Sequence, residues 1–296
     1  MSTAAQFVDL RQVRRNFARA ASGYDNAAVL QREVGSRMLE RLDYMRIEPQ
    51  RVLDVGCGTG ASLSALHERY PKSQLLGVDL SEAMLQAGRG QRSRLRWLLP
   101  FLRSHQANLT VADAAALPFR NASAGLLWSN LMLHWLDDPQ PALRDMYRVL
   151  EVDGLLMFST FGPDTLKELR ACFSDGYVHT QRFADMHDLG DMLLGCGFAD
   201  PVMDMEVLTL TYANVDDLLR DLRQNGASCA MQMRRQGLMG RGVWQSMRTK
   251  YEKLAQQGRL PATFEIIYGH AWKAPAKKTA DGRAIVRLDL NLKRAR

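Results

Sequence analysis

The sequence has few cysteines and no long apolar run. The four cysteines lie far apart, at Cys57, Cys172, Cys196 and Cys229, and none forms a C-x-x-C pair, which argues against both a zinc site and a disulfide framework. No apolar stretch approaches the ~20 residues that a membrane-spanning helix requires. We therefore expect no stable membrane insertion and predict a protein of the reducing cytoplasm.

The N-terminal segment also lacks the apolar core of a secretory signal. Residues 1–24 carry four arginines and one acid, which loosely resembles a mitochondrial transit peptide. Apolar side chains recur there at spacings of three and four, from Leu10 to Tyr24. This spacing favours an amphipathic helix of the mature protein.

The net charge of +7 is concentrated at the C-terminus. Residues 273–296 hold eight basic and two acidic residues, so the rest of the chain is almost neutral. A basic tail of this kind is usually solvated. The sequence also lacks an aromatic-interleaved basic strand and a base-flipping signature, so it does not favour a nucleic-acid partner.

Strand-like and helix-like segments alternate through most of the chain. Strands are predicted at 51–56, 74–80, 108–114, 124–130, 154–162, 203–212 and 264–272, with helices at 10–24, 27–42, 61–69, 81–87, 141–150, 165–173, 189–195 and 215–223. Residues 224–242 are predicted as an ordered loop with a short helix, and 285–293 as an edge strand. This alternation implies an α/β fold with a mostly parallel sheet and helices on both faces.

We predict a single domain over residues 1–272. Its parts are N-terminal capping helices (1–45), a cofactor-binding half (46–162) and a substrate-side half with a lid (163–272). Residues 273–296 form a separate basic tail.

A glycine-rich stretch, "LDVGCGTGASL", follows the first predicted strand. A strand, a bare turn and a helix at the carboxyl edge of a parallel sheet form a ligand crevice. Gly56, Gly58 and Ala61 also satisfy the loose dinucleotide pattern G-x-G-x-x-G/A. The glycines alone therefore admit a nicotinamide dinucleotide as well as other nucleotide-like cofactors.

Acidic residues near the strand ends favour one of these ligands. Asp54 would oppose a pyrophosphate but can accept hydrogen bonds from an ammonium, which suits the methionine end of S-adenosylmethionine. Asp79 lies 19 residues after Gly60, where a carboxylate can accept both ribose hydroxyls. Asp113 follows the third strand and can accept a hydrogen bond from an adenine amino group, while Ala114 keeps the approach open.

This order of acids around a glycine loop resembles the class I S-adenosylmethionine-dependent methyltransferases. The resemblance implies a Rossmann-like, mostly parallel seven-stranded sheet with helical lid insertions, and S-adenosylmethionine as the cofactor. The candidate cofactor-binding residues are Asp54, Gly56, Cys57, Gly58, Gly60, Asp79, Leu80, Met84, Asp113, Ala114, Asn130 and Leu131.

Stretches outside the cofactor half narrow the resemblance. "FARAASGYDNAAVLQREV", "SNLMLHW", "FSTFGPDTLKELR", "HTQRF", "LRQNGAS" and "PATFEIIYGHAW" occur in this order. Together they are similar to the malonyl-acyl-carrier-protein O-methyltransferases of biotin synthesis, the BioC family. The arginine-rich segment Arg89–Arg103 and the tail after Trp272 lie outside that pattern.

The resemblance implies methyl transfer to the free carboxylate of a malonyl group carried as a thioester on acyl carrier protein. Because that carboxylate is ionised at neutral pH and the sulfonium is already activated, we predict no catalytic side chain and no metal. The candidate substrate-binding residues are Tyr24, His134, Trp135 and Arg182, with the Arg182 guanidinium holding the carboxylate. Packed core positions for Tyr24 and His134, and an ion pair of Arg182 with Asp185 or Asp188, are the open alternatives.

An acidic carrier protein would be steered by a basic patch beside the pocket. The candidate arginines are Arg11, Arg14, Arg15, Arg19, the segment Arg89–Arg103, Arg234, Arg235 and Arg241. The alternatives are a solvated basic face and, for the segment Arg89–Arg103, contact with a membrane or a partner helix.

Other functions remain open on the sequence alone. A relative of the mitochondrial complex I assembly factors would bind the cofactor yet act on another protein. A trans-aconitate-like enzyme would methylate small free acids. A nicotinamide oxidoreductase would use the same loop for a dinucleotide.

Overall fold

The computed structural model describes residues 7–98 and 107–275, with the backbone alone for 91–98. The far end of the segment Arg89–Arg103 and the strand predicted at 285–293 lie outside these residues. Among the helices that are described, none has the length and apolar character needed to cross a membrane.

Seven strands form one sheet at the centre of the molecule. They are β1 Arg51–Val55, β2 Gln74–Asp79, β3 Asn108–Val111, β4 Ala124–Asn130, β5 Leu150–Phe161, β6 Ala199–Tyr212 and β7 Leu260–Trp272. Their order across the sheet is β3-β2-β1-β4-β5-β7-β6. The first five pair in parallel, whereas β7 runs antiparallel to both β5 and β6. The prediction of a mostly parallel seven-stranded sheet is confirmed.

Both faces of the sheet are buried, which is why the central strands are apolar at consecutive positions. In β1, Val52 packs into one core and Leu53 into the core on the opposite face. Met157 and Phe158 divide in the same way in β5. These two strands therefore join two hydrophobic layers beneath the loops at their carboxyl ends.

Ten helices are described around the sheet. They are α1 Leu10–Ala20, α2 Tyr24–Ala27, α3 Val29–Arg41, α4 Ser62–Arg69, α5 Glu82–Leu98, α6 Gln140–Val149, α7 Lys167–Cys172, α8 Met186–Gly195, α9 Val215–Gln224 and α10 Arg241–Glu252. Short 3-10 turns lie at Leu42–Tyr44 and Leu133–Trp135. In α6 the spacing of Leu143, Met146 and Val149 buries one face against the sheet, as expected for an amphipathic helix.

Two predicted helices differ most in where they end, and one helix was missed. The first helix ends at Ala20, and Tyr24 begins a separate short helix after a turn. The helix predicted to end at residue 87 continues to Leu98, into the arginine-rich segment. Helix α10 was missed, although Met247 and Tyr251 lie one turn apart and are both buried. The division of the chain into capping, cofactor and substrate parts stays a prediction.

Candidate functional site

The glycine loop after β1 adopts a backbone that side chains would block. Gly56, Gly58 and Gly60 have φ angles of +78°, +57° and +77°, in the left-handed region that favours glycine. A Cβ atom on Gly56 would lie 2.3 Å from Cγ of Met132. The loop therefore needs glycine, because its backbone conformation favours glycine and because a side chain at Gly56 would collide with Met132.

Asp79 ties this loop to the end of β2. Its carboxylate accepts hydrogen bonds from the backbone N–H groups of Gly58 at 2.8 Å and Ser81 at 2.7 Å. Burial raises the pKa of Asp79, while the two N–H donors oppose that rise by stabilising the ionised form. The carboxylate is thus held in a fixed orientation at the carboxyl edge of the sheet.

Asp54 is a buried acid in a cavity with little to neutralise it. Its side chain is 2% exposed. Burial, reinforced by the negative charge of Asp79, raises the pKa of Asp54 to about 8. Two carboxylates kept close together under these conditions fit a cationic ligand, because a positive group would favour their ionised forms.

The predicted cofactor residues surround two adjoining cavities. The first is lined by Tyr24, Gly56, Gly58, Asp79, Leu80, Met84, Asp113, Ala114, Asn130 and Leu131, among others. The second shares Tyr24, Gly56, Gly58 and Asn130 with the first and adds Asp54 and Cys57. Gly60 lines neither cavity; its backbone N–H donates to the carbonyl of Cys57 at 2.7 Å and closes the turn.

Asp113 lines the first cofactor cavity. Its Oδ1 accepts the backbone N–H of Ala115 at 2.9 Å, so the side chain also caps a turn. The turn places the carboxylate beside Ala114, whose small side chain lines the same cavity. Asp113 therefore caps a turn and lines the predicted ligand site at the same time.

Asn130 connects three parts of the site. Its Nδ2 donates to the backbone carbonyl of Gln31 in α3 at 2.8 Å, and its Oδ1 accepts from the Ser159 hydroxyl in β5 at 2.8 Å. A Cβ on Gly35 would lie 3.1 Å from Asn130 Nδ2, so α3 approaches closely only because that position is glycine. Asn130 thereby fixes the capping helix over the end of β4.

A further cavity, of about 340 Å³, adjoins the cofactor cavities on the β5 side of the sheet. Trp135 lines both this cavity and the first cofactor cavity, and Gln31 lines both this cavity and the second. Other walls come from the end of β5, from α7 and α9, and from residues 179–181, 183, 225 and 227–229. A molecule in the third cavity would meet the cofactor cavities at Trp135 and Gln31.

Known methyltransferases resemble this chain in sequence. A family model described as a methyltransferase domain matches residues 53–158. Malonyl-acyl-carrier-protein O-methyltransferases from Gallionella capsiferriformans and Laribacter hongkongensis are 47% and 49% identical, and the alignments cover 97% and 96% of this chain and 98% and 97% of those proteins. The chain belongs to this family.

Solved structures show the fold independently of the sequence relatives. The YcgJ protein from Bacillus subtilis has a TM-score of 0.59 at 15% identity, over 83% of this chain and 100% of that chain. The cyclase SpnF has a TM-score of 0.50 at 19% identity, over 82% of each chain. Because a cyclase shares the fold, these structures establish architecture and not chemistry.

S-adenosylmethionine is the methyl donor of this methyltransferase. The described residues fit that cofactor, since buried Asp54 suits its ammonium and the edge of β2 presents Asp79. When bound, the cofactor supplies a methyl group on a positively charged sulfur. The enzyme's own residues then have to position an acceptor and exclude water.

Tyr24 and His134 are both held in their neutral forms. Burial, with the negative charges of Asp79 and Asp25, raises the pKa of Tyr24, so its hydroxyl stays protonated. Burial lowers the pKa of His134 to about 3. The His134 Nδ1 lies 3.5 Å from the Thr160 hydroxyl, and its ring centroid lies 4.7 Å from that of Phe161. His134 is therefore a packed, uncharged wall of the third cavity.

Trp135 lies between the third cavity and the first cofactor cavity, since it lines both. Its indole is 8% exposed and meets the Phe17 ring edge-on at a centroid distance of 5.2 Å. Tyr24 lines both cofactor cavities but not the third one. The assignments of Tyr24, His134 and Trp135 to substrate binding stay predictions.

Arg182 lies next to the third cavity and not in its wall. The residue is exposed and lines a neighbouring cleft with His134, Thr160 and Phe183. Its preceding neighbour, Gln181, is buried and does line the third cavity. Consecutive residues of this non-helical segment thus face opposite sides, and the role of Arg182 as carboxylate binder stays a prediction.

Sequence reasoning missed several residues of the third cavity. Gln31, Thr180, Gln181 and Trp244 line it but were not singled out. The stretch "HTQRF" contains Gln181, but the role of carboxylate binder was assigned to Arg182 because its side chain is charged. Within the residues that the structure describes, no group of three or more His, Cys, Asp or Glu side chains could hold a metal ion.

Proposed function

We propose that this methyltransferase transfers the methyl group of S-adenosylmethionine to the free carboxylate of malonyl-acyl carrier protein, giving a malonyl methyl ester for biotin synthesis. The observation that carries the proposal is near-full-length identity of 47–49% to proteins named for that reaction. The adjoining cavities support it, because they provide one compartment for the cofactor and another for an acyl group.

The proposed chemistry needs orientation more than acid–base catalysis. The substrate carboxylate, with a reference pKa near 4, is ionised at neutral pH and carries the attacking lone pair itself. Holding its oxygen ~3 Å from the methyl carbon, in line with sulfur, can lower the barrier by roughly 7 kcal/mol or more. The neutral ring of His134 is consistent with this mechanism, because the reaction requires no proton acceptor.

We propose further that the carrier protein docks as an acidic partner on α1 and α9. Arg11, Arg15 and Arg19 are exposed and spaced four residues apart, so they follow one another along α1. Helix α1 packs against α9, and exposed Arg223 at the end of α9 lines the third cavity. A carrier bound there would present its acyl arm at the mouth of that cavity.

Other predicted arginines are already engaged within the protein. Arg234 pairs with Asp9 at 3.3 Å, and Arg235 pairs with Asp175 at 3.5 Å. Arg89 donates to the backbone carbonyl of Leu109. These contacts favour α1 over Arg89, Arg234 and Arg235 as the docking surface. A cytoplasmic location also belongs to the proposal, supported by four cysteines that form no disulfide with one another.

Rescue of a biotin auxotroph tests the proposal in a cell. A strain lacking its own malonyl-acyl-carrier-protein methyltransferase should grow without biotin when it expresses this chain. The Asp54→Ala variant is the matched control and should not rescue, since it removes the predicted contact to the cofactor. Failure of the wild-type chain to rescue, while it is expressed and binds S-adenosylmethionine, would favour the assembly-factor alternative.

A further inference from the structure

Gln181 lines the third cavity and carries a hydrogen-bond donor that has no partner among the described residues. The residue is only 6% exposed and lines that cavity. Within the described part of the chain, its Nε2 is buried and has no hydrogen-bond partner. A buried amide N–H without an acceptor is unfavourable, so the site is suited to a ligand that supplies one.

The orientation of this amide is fixed by its other end. Gln181 Oε1 accepts the backbone N–H of Ala230 at 3.1 Å. An NH₂ group cannot accept a hydrogen bond, so exchanging the two ends of the amide would break this contact. The donor end must therefore remain the unpaired one.

Contacts around Ala230 locate the donor near the cofactor. Ala230 packs with Val13 and Trp135 in one small hydrophobic cluster. Val13 and Trp135 both line the first cofactor cavity. Gln181, which is bonded to Ala230, thus lies at the end of the third cavity that adjoins the methyl donor.

We propose that Gln181 Nε2 donates a hydrogen bond to the substrate carboxylate and orients it for methyl transfer. This inference rests on the proposed function, which brings a carboxylate to that end of the cavity. The acyl end of a malonyl thioester offers only acceptors, namely the carboxylate and the thioester carbonyl. Gln31 also lines this cavity, and its buried unpaired atom is the acceptor Oε1.

A neutral donor suits a reaction that removes charge. As the oxygen–carbon bond forms, the carbon–sulfur bond breaks, its electron pair stays on sulfur, and no proton moves. The negative charge on the carboxylate therefore declines toward the transition state. An amide orients the oxygen while stabilising that ground-state charge less than a guanidinium would, which leaves more of the binding energy for the transition state.

Variants at Gln181 test the proposal with purified full-length protein and malonyl-acyl carrier protein. The Gln181→Leu variant should lose about tenfold or more in kcat/KM, because the donor is absent, while its Kd for S-adenosylmethionine changes by less than about twofold. Gln50→Leu, at an exposed position before β1, is the matched control and should behave as wild type. Arg182→Gln should retain a larger share of kcat/KM than Gln181→Leu.

The Gln181→Glu variant gives a readout that a merely structural role would not move. An ionised Glu at this position repels the substrate carboxylate, whereas its protonated form can donate a hydrogen bond. Relative to wild type at saturating cofactor, its activity should rise as pH falls from about 8 to about 5.5. This profile also decides the case if Gln181→Leu fails to fold.

Several outcomes would overturn the inference. These are wild-type kcat and KM in Gln181→Leu, a flat relative pH profile in Gln181→Glu, or a larger loss in Arg182→Gln than in Gln181→Leu. Failure of the proposed function is distinguishable, because the wild-type protein itself would then leave malonyl-acyl carrier protein unmethylated.

Discussion

The burial of Asp54 suits a cationic ligand but lowers the stability of the protein without that ligand. Its pKa rises from a usual value of 3.8 to about 8 because the carboxyl is buried beside Asp79. Between these pH values the unfolded chain is ionised while the folded protein holds a proton. The free energy of unfolding is therefore highest below the pKa that Asp54 has in the unfolded chain. It falls as the pH rises through the pKa that Asp54 has in the folded protein.

Asp54→Asn should separate stability from binding. Because asparagine resembles the protonated acid, the variant should have a higher Tm than wild type without ligand at about pH 7.5, yet bind S-adenosylmethionine about tenfold or more weakly. Differential scanning fluorimetry and calorimetry measure the two effects. Asp191→Asn, at an exposed position of α8, is the control and should change neither. Unchanged cofactor affinity in Asp54→Asn would contradict the assigned role.

The pH dependence of turnover should reveal no titrating base. With His134 neutral above a pKa of about 3, and the substrate carboxylate ionised above about 4, kcat at saturating substrate and cofactor should stay flat from about pH 5.5 to about pH 8. Steady-state rates across that range check this. A rising limb near pH 6.5 that disappears in His134→Phe would assign His134 a role as a base.

At the scale of single elements, α1 combines a buried face with a basic exposed one. Val13, Asn16 and Ala20 are buried, whereas Arg15 and Arg19 are exposed. The helix therefore contributes to the cofactor site with one face and can attract an acidic partner with the other. The spacing of apolar residues predicted this helix correctly, but not its end at Ala20, because the turn before Tyr24 carries no proline and a single glycine.

Reversing charge on α1 should weaken carrier binding without changing the chemistry. The double variant Arg15→Glu/Arg19→Glu should raise KM for malonyl-acyl carrier protein by about tenfold at low salt, with kcat unchanged and a smaller effect at high salt. A malonyl thioester of pantetheine without the protein should show no such change. Arg46→Glu, exposed before β1, is the control. Equal effects of the variant on both substrates would contradict docking at α1.

For the whole molecule, the sequence singled out more residues of the two cavities beside the glycine loop than of the third cavity. The glycine loop, Asp79 and Asp113 each follow a strand closely along the chain, so their meeting at one sheet edge follows from parallel topology. The third cavity instead is lined by α3, β5, α9 and residues 179–181 and 183, which are brought together only by tertiary packing. The antiparallel place of β7 is likewise a long-range pairing that local patterns do not encode.

Direct assay of the purified protein tests the central claim. The protein would be incubated with labelled S-adenosylmethionine and, side by side, malonyl-acyl carrier protein, malonyl-coenzyme A and free malonate, with mass spectrometry of the products. The account predicts one added methyl group on the malonyl carboxylate of the carrier-bound substrate, formed with the highest kcat/KM of the three. Label appearing only on free acids, or none on malonyl-acyl carrier protein, would contradict it.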